Sequence, residues 1–209
     1  TGRYIAFASD APNLVSGDTN GVRDVFVRDL WTGTNLLVST DSSGVAPSDG
    51  FSFEPSISAD VRYVAFTSSA GSLTPGDTNN LHDVFVRDLL TDTTTLVSVN
   101  VNGMSGNRES YSPSLSADGQ GVLFHSRATD LAVGSSASFL DNLYWRDLVA
   151  NVTYPVTAYT SVAPGGTLPA AMTSDGRYSA LGSPTTSWYV WDTQLHARVY
   201  TNTAAAPLS

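Results

Sequence analysis

Two loops of this sequence place carboxylates and an amide at the spacing of an oxygen-ligand cation site. The first loop reads SGDTNGVRD and ends at Asp24, and the second reads PGDTNNLHD and ends at Asp83. Calcium takes about six to eight oxygen ligands, and alternate side chains of such a loop fold inward around the ion. The predicted ligands are the side chains of Asp18, Asn20 and Asp24 with the carbonyl of Val22, and those of Asp77, Asn79 and Asp83 with the carbonyl of Leu81. Because every donor is oxygen, the pattern favours calcium.

The same residues also suit a turn held only by hydrogen bonds. Asp and Asn side chains close local turns on backbone amides, and this needs no metal. Gly21 and Asn80 stand where the turn requires a positive φ, which Gly and Asn tolerate best. In a third copy of the loop the carboxylates are replaced by Ser136, Ser138 and Asn142, so no metal is expected there. Repetition of the loop does not by itself distinguish a metal site from a turn.

A repeated unit of four short strands, named A to D, positions these loops. Strand B reads RYIAFAS at Arg3–Ser9 and RYVAFTS at Arg62–Ser68, and strand C reads DVFVRDL at Asp24–Leu30 and Asp83–Leu89. Alternating apolar residues, rich in β-branched and aromatic types and separated by turn residues, indicate strands rather than helices. Four-stranded antiparallel units repeated at this spacing are typical of a β-propeller. The sequence therefore predicts an all-β propeller of about four blades.

The repeat predicts one propeller domain, residues 1–209, with an incomplete first blade. The expected blades cover about 1–54, 55–112, 113–168 and 169–209. Blade 1 has no strand A, and the segment PLS at Pro207–Ser209 is a shortened echo of the strand A sequences PSIS and PSLS. This segment is a candidate clasp that would close the ring beside Arg3–Ser9. The alternatives are a piece of a longer propeller, or two copies that associate through open blade edges.

The strand motifs resemble the TolB-like, WD-repeat-like propeller repeat. The matching residues run PSLSADG, then GVLFHS, then LYWRDL within residues 113–148, and the GDTNG…DVFVRD form is similar to a long-blade variant found in exported bacterial proteins. The resemblance covers essentially the whole chain and is weakest in the fourth unit. It implies the propeller fold, but it does not imply one function, because this fold carries many.

The long loops are expected to share one face of the propeller. With strand A innermost, the B–C and D–A loops leave on one side and the short A–B and C–D turns on the other. The candidate ligand-binding residues at the channel mouth on this long-loop face are Phe51, Phe53, Glu54, Glu109 and Tyr111. Aromatic side chains there suit a protein or glycan ligand. Glycoside chemistry through the two glutamates is the weaker alternative, because the chain shows no supporting catalytic pattern.

Composition excludes several classes of partner. The net charge is −9, and all ten basic residues are Arg, with no basic stripe that could bind a phosphate backbone. The absence of Cys excludes thiolate zinc sites and a thiol nucleophile. No apolar run is long enough to span a bilayer as a helix. We expect no nucleic acid and no membrane insertion, and a secreted, cell-surface or periplasmic location.

The Arg-Asp pair at the end of strand C has a structural interpretation. It recurs as Arg28–Asp29, Arg87–Asp88 and Arg146–Asp147. The aspartates are expected to open the C–D turn, and the arginines are expected to pair with a neighbouring blade. Asp60, Asp118 and Asp175 are likewise expected to be A–B turn residues.

Overall fold

The computed structural model describes residues 2–44, 48–133, 141–156, 170–173, 175–182 and 187–203. Within those ranges the ordered elements are fifteen strands, and none of the described residues is helical. In chain order the strands are β1 Tyr4–Ser9, β2 Asp24–Asp29, β3 Asn35–Leu37, β4 Ser52–Ile57, β5 Tyr63–Ser68, β6 Asp83–Asp88, β7 Thr93–Leu96, β8 Ser110–Leu115, β9 Gly121–Ser126, β10 Asn142–Asp147, β11 Val152–Pro155, β12 Ala170–Met172, β13 Tyr178–Gly182, β14 Ser187–Asp192 and β15 Ala197–Thr203.

The strands form four separate antiparallel sheets, one for each predicted blade. The first sheet has the order β1-β2-β3, and the others have the orders β4-β5-β6-β7, β8-β9-β10-β11 and β12-β13-β14-β15. The prediction of an all-β propeller is therefore confirmed. The described part of blade 1 has three strands, as its missing strand A required. The proposed clasp, Pro207–Ser209, lies outside the described residues, and the exact blade boundaries stay a prediction.

The apolar core lies between successive blades. Val25 and Val27 of blade 1 pack with Val64, Phe66 and Phe85 of blade 2 in one cluster. A second cluster joins blades 2 and 3, and a third joins blades 3 and 4. Strands B and C of blades 2 and 3 are buried on both faces, since each of these two blades lies between two others. Successive apolar side chains of strand B in these blades therefore face two different neighbouring blades.

Strand A carries a bulge that ties blade 2 to blade 3. The pairing of β4 with β5 shifts register between Phe53 and Ser56, and Glu54 has a φ of 53°. Ser112 has a φ of 52° at the equivalent place in β8, and its amide donates to Glu54 Oε2 at 2.8 Å. The Glu54 carboxylate therefore satisfies a backbone donor that the bulge leaves without a strand partner.

The turn aspartates behave as the sequence predicts. Asp88 Oδ1 accepts a hydrogen bond from the Leu90 amide at 2.9 Å in the C–D turn. Asp60 Oδ1 accepts one from the Arg62 amide at 3.0 Å in the A–B turn. These contacts close the short turns opposite the long loops, so these acids serve the fold.

The expectation that the strand C arginines pair with a neighbouring blade is wrong. Arg87 donates to Thr94 Oγ1 at 3.2 Å and to Asp92 Oδ1 at 3.2 Å, both within its own blade. The equivalent contacts are those of Arg28 with Asn35, and of Arg146 with Thr153 and Asn151. The guanidinium reaches these acceptors because strand D is the direct hydrogen-bonded neighbour of strand C.

Arginines at the start of strand B form the ion pairs with the turn aspartates. Arg62 donates to Asp88 Oδ2 at 2.7 Å, with a second contact from its Nε at 3.1 Å. Arg62 holds the pKa of Asp88 at about 2, well below its usual range. The same pair recurs as Arg3 with Asp29 and as Arg177 with Asp192. In blade 3 the arginine is replaced by Gln120, and Asp147 keeps only its turn contacts among those the structure describes.

Candidate loop site and channel mouth

In blade 1, the B–C loop folds over a fully buried carboxylate. Asp24 Oδ1 accepts a hydrogen bond from Ser39 Oγ at 2.6 Å, and Asp24 Oδ2 accepts one from Asn20 Nδ2 at 2.7 Å. Asn20 Oδ1 accepts the Val22 amide at 3.0 Å, which closes the turn at Gly21, where φ is 70°. Both polar atoms of the Asn20 side chain are thus used within the loop region.

Blade 2 repeats this arrangement contact by contact. Asp83 accepts from Ser98 Oγ at 2.5 Å and from Asn79 Nδ2 at 2.7 Å, and it is fully buried. Asn79 Oδ1 accepts the Leu81 amide at 2.7 Å. The turn residue Asn80 has a φ of 56°, in agreement with its predicted role. In both copies the structure therefore brings the predicted asparagine to the predicted aspartate of strand C, and the proposed role of the Val22 and Leu81 carbonyls stays a prediction.

The asparagines also connect the two kinds of long loop. Asn20 Nδ2 donates to the carbonyl of Ser48 at 2.9 Å, and Asn79 Nδ2 donates to the carbonyl of Gly106 at 2.8 Å. Ser48 and Gly106 belong to the D–A loops that follow in the chain. Each asparagine is therefore hydrogen-bonded both to the buried aspartate and to the backbone of the D–A loop.

Each copy leaves one buried carboxylate oxygen without a hydrogen-bond partner. Asp18 is 7% exposed and Asp77 is 9% exposed. Among the described residues, no donor reaches Asp18 Oδ1 or Asp77 Oδ2. Burial raises the pKa of Asp24 and of Asp77, and it raises that of Asp83 to about 7, with the charge of Asp77 adding to this rise. Two buried carboxylates that repel each other, one with an unsatisfied oxygen, favour a bound positive charge.

The donor set of each loop is suited to a hard cation, and it is sparse in carboxylates. Within the described residues no group of three or more His, Asp or Glu side chains has an arrangement that could hold a metal. A cation in these loops would therefore rely on two aspartates together with neutral oxygens. Asn142 takes the place of Asp24 and Asp83 in blade 3 and is also buried. Ser136 and Ser138 lie outside the described residues.

The predicted channel-mouth residues differ in exposure and in their contacts within the chain. The Glu54 carboxylate is committed to the Ser112 amide and to Thr67 Oγ1 at 3.1 Å. The Phe53 ring contacts the His82 ring edge-on, with 5.3 Å between centroids. Phe51 is 54% exposed. Phe51 and Glu54 are both exposed, and of the two only the Phe51 side chain has no described hydrogen bond to another part of the chain.

Glu109 and Tyr111 are brought together through Arg127. Arg127 Nη1 contacts Glu109 Oε2 at 3.2 Å, and its guanidinium carbon lies 5.8 Å from the centroid of the Tyr111 ring. Arg127 Nε also donates to Asp141 Oδ1 at 2.7 Å. The Tyr111 ring stacks on His125 at 5.9 Å, and burial lowers the pKa of His125. Glu109 and Glu54 therefore have different ionic and hydrogen-bonding partners, and neither contacts the other in the described interactions.

A row of exposed apolar residues on the opposite face was missed by the sequence interpretation. Trp31 is 77% exposed, and Leu90 and Val149 are each 73% exposed. All three stand two residues after the aspartate that opens the C–D turn. The repetition of an apolar residue at a solvent-facing turn position was the signal that could have revealed them.

The comparisons with known proteins identify the fold. No protein-family model matches the chain, and no curated protein matches it. Among solved structures, it is similar to TolB from Acinetobacter baumannii, with a TM-score of 0.53, 19% identity, and coverage of 98% of this chain and 41% of that one. The fold is a TolB-like β-propeller. A candidate TolB from Agrobacterium tumefaciens gives a TM-score of 0.55 and 13% identity, covering 97% of this chain and 62% of that one.

The similarity confirms the resemblance read from the strand motifs, at the level of fold. The TolB-like propeller described here spans between 41% and 62% of the length of the two structures it matches. Identities this low establish a shared architecture and carry no ligand or activity with them. Among the described residues, no helix is long and apolar enough to cross a membrane.

Proposed function

We propose that this chain is a non-catalytic binding module that works outside the cytoplasm. Its long-loop face engages a protein partner, and calcium holds the B–C loops of blades 1 and 2 in place. The carrying observation is the buried, unpartnered carboxylate oxygen of Asp18, which recurs at Asp77. A strictly structural turn has no need to bury an acid without a donor, and this fold repeats that cost in two blades.

Calcium is the cation that the chemistry of the loops favours. The candidate donors are carboxylate, amide, hydroxyl and backbone oxygens, and calcium prefers oxygen ligands with flexible geometry. Asp18 and Asp24 would hold the ion in blade 1, and Asp77 and Asp83 would hold it in blade 2. The small number of carboxylates indicates the weak affinity that is usual for extracellular calcium modules. The ion would neutralise each buried pair and thereby order the attached D–A loop.

The exposed side chains of the long loops favour a protein partner over a glycan. Phe51 is 54% exposed, Val101 is 59% exposed and Val133 is 93% exposed. Met104 on the same face is 39% exposed. Aliphatic and aromatic residues presented together on one face are typical of a protein-binding surface. A glycan site would instead require polar groups around the aromatic rings, and the polar groups of Glu54 and Glu109 have partners within the chain.

Calcium is expected to raise the melting temperature of the chain. A ligand that binds only the folded state at ten times its Kd stabilises that state by about 1.4 kcal/mol per site. For a chain of this length, that corresponds to roughly 4 °C per site. Thermal unfolding followed by circular dichroism, in calcium and in chelator, measures the shift. Superimposable melting curves in the two conditions would contradict the proposal.

Two substitutions and a matched control locate the calcium effect. Asp18→Asn and Asp77→Asn are each expected to remove about half of the calcium-dependent shift, and the double variant is expected to remove all of it. Asp60→Ala changes an acid of the A–B turn, far from the long loops, and is expected to keep the full shift. A double variant that still responds to calcium as the wild type does would rule out these loops as the site.

Cross-linking to a captured protein is expected to identify which face of the propeller binds it. Partners recovered with the wild-type chain should cross-link to residues of the two D–A loops, and Val101→Asp should weaken their capture about tenfold. The paired control is Leu90→Asp, at an apolar residue of the turn face that is even more exposed than Val101, and it should leave capture unchanged. Cross-links confined to the C–D turns, with capture lost in Leu90→Asp, would assign binding to the opposite face.

A further inference from the structure

Two arginines are buried in the described part of the chain, and they occupy the same position of strand C in blades 2 and 3. Arg87 is 3% exposed and Arg146 is 7% exposed. Arg146 faces blade 2, because Tyr144, two residues earlier in the strand, packs in the cluster that blades 2 and 3 share. A buried cation is costly unless acceptors compensate its charge, so the partners of the two arginines can be compared directly.

The repeat replaces the acidic partner of the arginine in blade 3 by an amide. Arg87 Nη2 donates to Asp92 Oδ1 at 3.2 Å, whereas Arg146 Nη2 donates to Asn151 Oδ1 at the equivalent turn position. Asp92 and Asn151 have the same backbone conformation, with φ of 56° and 59°, so the turn is kept and the charge is lost. Arg146 takes part in none of the ion pairs that the described residues form.

The other groups around Arg146 do not replace the missing acid. Nη1 donates to Thr153 Oγ1 at 3.1 Å, while Nε is buried and no described acceptor reaches it. The adjacent acid, Asp147, points to the other side of the strand, where its Oδ1 accepts the amides of Val149 and Ala150. Burial lowers the pKa of Arg146, the direction expected for a cation held among neutral groups.

A cavity of about 350 Å³ lies beside this guanidinium, between the D–A loop that follows blade 2 and strand D of blade 3. Arg146 and Asn151 line it, and most of the remaining wall is apolar, including Val99, Leu131 and Val152. Small-molecule sites have volumes of about 300–1,000 Å³ and are mostly apolar, with a few polar groups that orient the ligand. This cavity therefore combines an apolar wall with one cation that has no counter-ion among the described residues.

The D–A loop lies closer to the arginine in blade 2 than in blade 3. A Cβ atom on Gly44 would lie 3.2 Å from Arg87 Nη2, whereas one on Gly103, the equivalent loop glycine, would meet nothing within 4 Å. The loop thus covers the arginine that has an acidic partner and leaves space at the arginine that lacks one.

We propose that the cavity binds a small carboxylic acid with an apolar body, whose carboxylate pairs with Arg146 and whose body lies against the apolar wall. Each Nη atom carries two N–H groups and the described contacts use one on each, so donors remain for the ligand. The planar guanidinium matches the geometry of a carboxylate. A second cavity of about 250 Å³ also borders Arg146, but Asp88 lines it and disfavours an anion there. This proposal does not depend on calcium or on a protein partner.

Hexanoate is the probe for this site, and titration calorimetry at neutral pH measures its binding to the whole chain. Hexanamide has the same body without the charge, and acetate has the charge without the body, so each is expected to bind at least about tenfold more weakly. N-acetyl-leucine presents the same two groups as the end of a polypeptide, and tighter binding of it than of hexanoate would identify a chain terminus as the source of the carboxylate. Equal binding of hexanoate and hexanamide, or binding of neither acid, would overturn the proposal.

Two substitutions at the site and one matched control assign the binding to Arg146. Asn151→Asp supplies the acid that Asp92 provides in blade 2, and it is expected to weaken hexanoate binding at least about tenfold while Arg146 is kept. Arg146→Gln is expected to abolish binding. Arg87→Gln changes the arginine that already has an acidic partner, and it is expected to leave the affinity unchanged. Circular dichroism melts show which variants are folded. Wild-type affinity in folded Asn151→Asp would overturn the proposal, and so would a loss of affinity in Arg87→Gln as large as in Asn151→Asp.

Discussion

Phe85→Ala is expected to lower the free energy of unfolding by about 3–5 kcal/mol, the range measured for deleting a fully buried phenylalanine ring. The Phe85 side chain is 0% exposed and stacks on Phe66 with 5.9 Å between ring centroids. It lies in the cluster that joins blade 1 to blade 2, so the cavity would open at a blade contact. Urea unfolding followed by tryptophan fluorescence measures the loss.

A matched substitution separates burial from ring chemistry. Phe51→Ala removes the same ring from a side chain that is 54% exposed, and it is expected to change stability by no more than about 0.5 kcal/mol. If both variants lost similar stability, the contact between blades 1 and 2 would not be the stabilising core described here. If neither did, the continuous burial of strand C would have to be explained without blade packing.

Asp88→Ala is expected to be the most costly substitution on the turn face, at about 3 kcal/mol near neutral pH. The carboxylate accepts hydrogen bonds from Arg62 Nη2 at 2.7 Å and from the Leu90 amide at 2.9 Å. Hydrogen bonds to a charged group contribute about 1.5–3 kcal/mol, and removal of the acid also leaves Arg62 without its ion pair. Chemical unfolding of the two proteins at neutral pH measures the difference.

The pH dependence of that loss follows from the pKa of Asp88. Arg62 holds this pKa at about 2, below the value of about 3.9 for an unfolded aspartate. A lowered folded pKa gives stability that is present above about pH 4 and is lost as the pH falls through about 2. The difference between wild type and Asp88→Ala should therefore shrink between these two values.

Asp147→Ala is the control for the ion pair. Asp147 occupies the same turn position and accepts the Val149 amide at 2.9 Å, but Gln120 stands where Arg62 stands in blade 2. This variant is expected to lose about 1 kcal/mol of turn stabilisation. An acid-sensitive loss in Asp147→Ala as large as that in Asp88→Ala would show that the arginine is not the cause.

The sequence by itself determined the repeat, the strand order and the turn chemistry. These are local properties, since each strand shows its own alternation and each turn carries its own Asp, Asn or Gly. Gly21 and Asn80 adopt the positive φ that their loop positions required, and strand A of blade 1 is absent from the described residues, as predicted. A propeller repeats the same local contacts along the chain, so much of its architecture can be predicted from the sequence.

The tertiary structure decided which side chains meet across distant positions and which surfaces remain open. The sequence did not indicate that Asn20 donates to the carbonyl of Ser48, or that Glu54 accepts the Ser112 amide. It also assigned the strand C arginines to a neighbouring blade, although they bond within their own. The exposure of Ile5 cannot be predicted from its residue type, because Val64 reads the same way in sequence and is buried. Burial at this strand position depends on contact with a neighbouring blade, which a local sequence pattern does not show.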